Sequence, residues 1–142
     1  MRAVGVGGLY AMAALTEAAV AWRGGDARAA RELAMAACRE WSAAGRRWAP
    51  DMARALALAC GAEAQPEEVT TLMREALACP VPTAGLQVLA LLAVGRHPVS
   101  AVNTDDVARL AALVPTDAWM KRAAILSTDE ALGHLRGRVR VG

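Results

Sequence analysis

The chain has 142 residues, enough for one domain that buries a core without disulfide or metal staples. Hydrophobic residues make up 56 %, about a quarter of the chain is Ala and there is no Phe, a composition for helices packed closely through small side chains with Leu, Val, Met and four Trp filling the volume. With 16 basic and 14 acidic residues the net charge is +2, which excludes a strong field for nucleic acid.

Helix signals follow one another along the chain. Residues 1–8 read as a flexible N-terminal segment broken by Gly5, Gly7 and Gly8. A first helix is predicted from Gly8 to Arg23, stopped by Gly24-Gly25. Asp26 then caps a second helix reaching Ala44, because its carboxylate can accept the free N–H groups of the first turn. Ala30, Leu33, Ala34, Ala37, Cys38 and Trp41 fall on one face of it. A third helix is predicted from Pro50 to Gly61. A fourth runs from Pro66, with Glu67 and Glu68 against the positive end of its dipole and Val69, Leu72, Met73, Ala76 and Leu77 as its stripe. Pro80 and Pro82 end it. A fifth follows Thr83 and runs to Val94, stopping at Gly95, with Arg96 to Val102 as a loop. A sixth follows Asn103-Thr104 with Val107, Leu110, Ala111 and Val114 inward. A seventh follows Pro115-Thr116 and carries Trp119, Ala123 and Leu126. The eighth, Thr128 to Arg136, opens with Ser127 and Glu130 at capping-box spacing, and Gly137 releases a basic tail over 137–142.

These stripes are in phase. The run from Ala30 to Ala37 matches Val69 to Ala76 at an offset of 39, and that run matches Val107 to Val114 at an offset of 38, each after a cap or first-turn signal. A recurring two-helix unit of this length marks an α-helical repeat array. The fold expected is therefore all-α: seven to eight helices in one domain of stacked antiparallel hairpins.

The residues weighed for chemistry give none. Gly5-Val6-Gly7-Gly8 lacks the preceding strand and following Lys of a phosphate loop. His97 and His134 belong to no metal-ligand spacing, and no metal or cofactor is expected. Ser127 has a capping role, and the acidic pairs Glu67-Glu68, Asp105-Asp106 and Asp129-Glu130 all open helices. The cysteines Cys38, Cys60 and Cys79 form no Cys-x-x-Cys and read as structural thiols in a reducing, cytoplasmic setting. The apolar start of the chain, with Ala19-Val20-Ala21 behind it, has some features of a signal peptide, but its glycines and Glu17 argue against one. No apolar run reaches membrane-spanning length.

Ala21-Trp22-Arg23-Gly24-Gly25-Asp26, followed by Ala30 and Ala37, matches the small–aromatic–Gly-Asp–Ala pattern of a degenerate tetratricopeptide (TPR) hairpin. Ala14 to Gly61 resembles such hairpins, and the stretch Trp41 to Ala49 resembles the helical arm of MalT-like and LuxR-type bacterial regulators. The chain lacks the nucleotide loop of those regulators, and its period exceeds the TPR length, as in HEAT repeats. The resemblance implies a right-handed stack acting as a protein-interaction arm in a regulatory, transcription-linked system. It also implies that the first helix of each hairpin lines a concave face. The positions so assigned are Met12, Leu15, Ala19 and Trp22 in the first unit, Asp51, Arg54, Leu58 and Gly61 in the second, and Leu89, Leu92, Arg96 and Val99 in the third. Trp22, Asp51, Arg54, Leu58, Leu92 and Arg96 are the candidate partner-binding residues, for an amphipathic helix or extended peptide.

The function expected is a non-enzymatic protein–protein interaction module, the sensor or scaffold part of a bacterial regulatory system. Alanine at Arg54 and Arg96 is expected to weaken binding and leave the melting temperature nearly unchanged. The alternative is a DNA-binding protein using a helix–turn–helix over 116–140, with Arg122, Arg136 and Arg138 on phosphates; Asp129 and Glu130 oppose it. An enzymatic or small-molecule-binding domain is a third possibility for which no residue selects a substrate. The charge-poor first helix is the expected surface for any homodimer.

Overall fold

A computed structural model describes residues 4–45, 49–99, 102–114, 125–136 and 138, with the backbone alone at 4–9 and 128. Among these residues there are seven helices and no strand: α1 (Val4–Arg23), α2 (Ala27–Ala43), α3 (Ala49–Ala59), α4 (Pro66–Leu77), α5 (Pro82–Val94), α6 (Thr104–Leu113) and α7 (Thr128–Leu135). The helix expected after Pro115-Thr116 falls mostly outside the described residues. Ile125 and Leu126, at its expected end, are not helical.

Local chemistry fixes the helix starts. The Asp26 carboxylate accepts the Ala29 N–H at 3.1 Å. Pro66 and Pro82 occupy first turns, where a missing N–H leaves no bond unmade. Asn103 with Asp106, and Ser127 with Glu130, form reciprocal capping boxes. α1 begins at Val4 and runs through Gly5, Gly7 and Gly8, which the sequence reading placed in a flexible segment.

Apolar periodicity fixes the buried faces. α2 buries Ala30, Ala34, Ala37 and Trp41; α4 buries Val69, Leu72, Met73 and Ala76; α6 buries Val107 and Leu110. α5 differs, being buried on every side from Ala84 to Ala93, as expected for a helix that is apolar all round. It is the axis of the molecule: α3, α4, α6 and α7 all pack against it, while α1 packs on α2 and α2 on α3. The helices α2, α4 and α6 are not close-packed on one another.

Two glycines permit this crowding. A Cβ at Gly85 would stand 2.4 Å from the Ala76 carbonyl oxygen, where α4 meets α5. A Cβ at Gly95 would stand 2.7 Å from the Leu58 carbonyl oxygen, where α3 meets α5. Gly95 does end α5 as expected, but its backbone is not left-handed; Arg96 takes that conformation instead, with φ of +62°. The glycine is required for close approach rather than for turning.

Candidate functional site

The largest concavity is an open groove of about 630 Å³ with α3 between α2 and α4. Met35, Cys38 and Ser42 come from α2, spaced i, i+3, i+7 beside its buried stripe. Pro50, Asp51 and Arg54 come from α3, and Glu67, Glu68, Thr71, Leu72 and Glu75 from α4. The spacing of each set puts its members along one helix face, so three helices present three parallel rows to one space.

Arg54 organises the groove. Its Nε and Nη2 donate to the two carboxylate oxygens of Glu68 at 3.0 and 2.8 Å, and Nη2 also donates to the Glu63 carbonyl at 2.8 Å. Its Nη1 lies 3.2 Å from the Met35 sulfur. This bidentate pairing holds the Glu68 carboxyl below its usual range and raises the Arg54 guanidinium further. The same pair lines a second depression of about 540 Å³, bounded by residues 61–65, Gly95 and His97.

The remaining charges of the groove are negative. Among the described residues no cation pairs with Asp51, Glu67 or Glu75. Burial, and then the hydrogen bond and charge of Glu75, push the Asp51 carboxyl up to about 7. The Cys38 thiol in the groove is also pushed up, chiefly by burial, away from the thiolate that nucleophilic chemistry needs. Cys60 and Cys79 are free thiols shifted the same way by burial. Among the described residues no group of three His, Cys, Asp or Glu side chains is placed to hold a metal ion, and no helix is long and apolar enough to cross a membrane.

The six sequence-assigned residues do not share one surface. Asp51 and Arg54 line the groove together. Leu58 and Leu92 are core residues; Leu92 has 0 % of its surface exposed and cannot meet a partner in this conformation. They were assigned to a concave face by repeat phase, but α5 is covered on the side that phase left open. Arg96 is exposed between Gly95 and His97 and is not among the residues lining either concavity. Trp22 packs partly against the core at the end of α1, with the Arg23 guanidinium 5.9 Å from its ring centroid. The expectation that Arg54 stands free for a partner fails, since its donors are already engaged within the chain.

Cys38, Glu68, Thr71 and Glu75 were not singled out as binding residues. Their signal was the polar flank at i, i+3, i+7 beside each apolar stripe. The proposed helix–turn–helix lies largely outside the described residues; within them, Arg138 donates to the Ala93 carbonyl and Glu130 is held by Arg23. α1 exposes Tyr10, Met12 and Val20. Trp41 is core, as expected, whereas Trp48 and Trp119 lie outside the described residues. Comparisons with protein-family profiles, with curated proteins and with solved structures yield no match to this chain.

Proposed function

We propose that the chain is a non-enzymatic protein-interaction module built from stacked helical hairpins, and that the groove between α2 and α4 takes a basic, amphipathic peptide segment. The observation that carries this reading is the groove's make-up: an apolar base from Met35, Pro50 and Leu72 beside three carboxylates, Asp51, Glu67 and Glu75, without cationic partners. An amphipathic helix laid along it places apolar residues on that base and Lys or Arg beside the carboxylates. The packing of α3 on α5, and of α2 and α4 each on a following helix, supports the stacked-hairpin reading. A place in a bacterial regulatory system belongs to the same proposal and rests on the TPR-like residues at 21–37 alone.

The test is calorimetric titration of the full chain with a Lys-rich amphipathic helical peptide and with its Glu-rich counterpart. The Lys-rich peptide is expected to bind, with affinity falling as salt rises. Glu67→Gln combined with Glu75→Gln is expected to weaken it about tenfold, roughly 1.4 kcal/mol. Binding of neither peptide, or preference for the Glu-rich one, would overturn the reading.

A further inference from the structure

The face of α5 away from the groove carries one polar side chain in an apolar wall. Gln87 is 1 % exposed and is the only polar residue between Ala84 and Ala93 apart from Gly85. Burying an amide is unfavourable unless both of its halves are bonded. Here both are: Nε2 donates to the Leu126 carbonyl at 2.5 Å, and Oε1 accepts the Leu126 N–H at 2.6 Å. Two bonds to the N–H and C=O of a single residue recognise main chain, and any residue except proline can supply them.

The rest of the contact is arranged around this clamp. Ile125, Leu126, Ala131 and Leu135 are buried in the core cluster. Ser127 starts α7 through its capping box. At the outer edge the Arg23 guanidinium holds both Glu130 oxygens at 2.8 Å and also donates to the Ile125 carbonyl at 2.9 Å. Arg138 closes the far end by donating to the Ala93 carbonyl. Main-chain clamp, apolar wall and carboxylate-holding arginine are the three parts of a peptide-binding surface, and residues 125–138 fill it.

The seated segment is held as a ligand is held. α5 is the one helix against which α7 packs closely among the described residues. α7 has 8 residues, fewer than the 12 or so at which an isolated helix begins to hold its shape. Its Gly133 has open space around it, and its ion pair to Arg23 is half-exposed and so weak. A position meant to stay permanently in the core would serve better with Leu than with Gln. An amide remains soluble when the wall is opened to water.

We infer that this face of α5 is a peptide-docking site which the chain occupies with its own residues 125–138. Its ligand is a segment with two apolar residues, then Ser or Thr, two unrestricted positions, Glu and Ala, and an apolar residue four places on. A partner segment with this pattern binds by displacing the chain's own. This surface is separate from the groove between α2 and α4, so either assignment can fail without the other.

The test uses the full chain and its Arg23→Ala variant, which loses only a half-exposed ion pair. In native-state hydrogen exchange, amides of 126–135 should exchange at least about tenfold faster than those of Ala84 to Ala93. Arg23→Ala should speed the first set about fivefold further and leave the second unchanged. A labelled synthetic peptide of residues 125–138 should then bind the variant saturably and more tightly than it binds the native chain. The same peptide with Leu126→Pro, lacking the clamped N–H, should lose at least about tenfold in affinity. Exchange of 126–135 in step with Ala84 to Ala93 in both proteins would overturn the inference, and so would equal binding of the proline peptide.

Discussion

Two arginines in this molecule grip a glutamate with the same chemistry in different surroundings. Arg54 and Arg23 each place two N–H donors on both oxygens of one carboxylate and a further bond on a backbone carbonyl. The Arg54 side chain is 18 % exposed and joins α3 to the start of α4, only 14 residues on. The Arg23 side chain is 49 % exposed and joins the end of α1 to α7, 107 residues on. Bond geometry alone would rank the two pairs equal. What separates them is what remains when the pair is broken: a part-buried carboxylate under a groove in one case, a solvated one in the other.

The sharpest way to break the comparison is Arg54→Ala. It leaves Glu68 without its partner, removes a donor from the Glu63 carbonyl and takes the guanidinium off Met35. The expected loss is about 2 kcal/mol, a fall in melting temperature of roughly 6 °C. Arg54→Lys keeps the charge without the fork and should recover less than half of it. A fall below about 2 °C for Arg54→Ala would place this pair with the surface ones. The result would also bear on how the groove is read, since a destabilised variant that binds weakly says nothing about direct contact.

Asp51, on the same helix as Arg54, sharpens the comparison through pH. Its folded carboxyl titrates at about 7, against 3.8 for the free side chain, because burial and Glu75 disfavour its charge. Between pH 4 and 7 the folded chain therefore holds a proton that the unfolded chain has released. Stability should fall as pH rises across that window, with the full penalty present above about pH 7. Asp51→Asn removes the titration. It should be more stable than the parent at about pH 8, by on the order of 1 kcal/mol once solvent screening in the open groove is allowed for, and no different at about pH 4. Denaturation at the two pH values checks this, and an Asn variant whose advantage is independent of pH would refute the assignment.

The same contrast explains what could be read from the sequence. Ala30, Ala34, Ala37 and Trp41, or Val69, Leu72, Met73 and Ala76, announce their burial because one side of each helix faces water and periodicity records the boundary. Asp26 and Ser127 announce helix starts because capping is chemistry between near neighbours. α5 offers no boundary, so its apolar run gave the helix but not its neighbours, and Leu92 was assigned to an open face that residues 125–138 help to cover. Arg54 and Asp51 were found because charges at i, i+3 on a mostly apolar helix stand out. Their partners Glu68 and Glu75 were not, since an acidic residue early in a helix is already explained by its dipole. The pairing of Arg23 with Glu130 spans most of the chain and has no local signature at all.

Arg23→Ala should cost less than Arg54→Ala, about 0.5 kcal/mol globally. Arg23, and then the Ser127 N–H, hold the Glu130 carboxyl down to about 2. The contribution of the pair is therefore in place above about pH 4.5 and disappears as pH falls towards 2. Because both partners are solvated, about 1 M salt should remove most of the difference between native and variant, while the Arg54→Ala difference should keep most of its size. Thermal melts of both variants at low and high salt separate the two settings. Equal salt sensitivity would mean that burial does not distinguish them.

The smallest effect belongs to a third pair, Arg28 and Glu32 on α2, which marks the solvated limit of the series. Here a single Nε–Oε1 approach of 3.6 Å replaces the two-bond fork, and the side chains are 84 % and 69 % exposed. The i, i+4 spacing allows the two to meet, but holding two long side chains together costs rotamer freedom comparable to the screened attraction. The order of the residues is also the less favourable one, with the cation nearer the positive end of the helix dipole. Arg28→Ala even removes a charge from the first turn of α2 that the dipole opposes. The expected change is therefore within about 0.3 kcal/mol of zero, read as an unmoved denaturation midpoint. A loss as large as that of Arg23→Ala would show that exposure does not set the order of these three pairs, and that bond count or helix placement does.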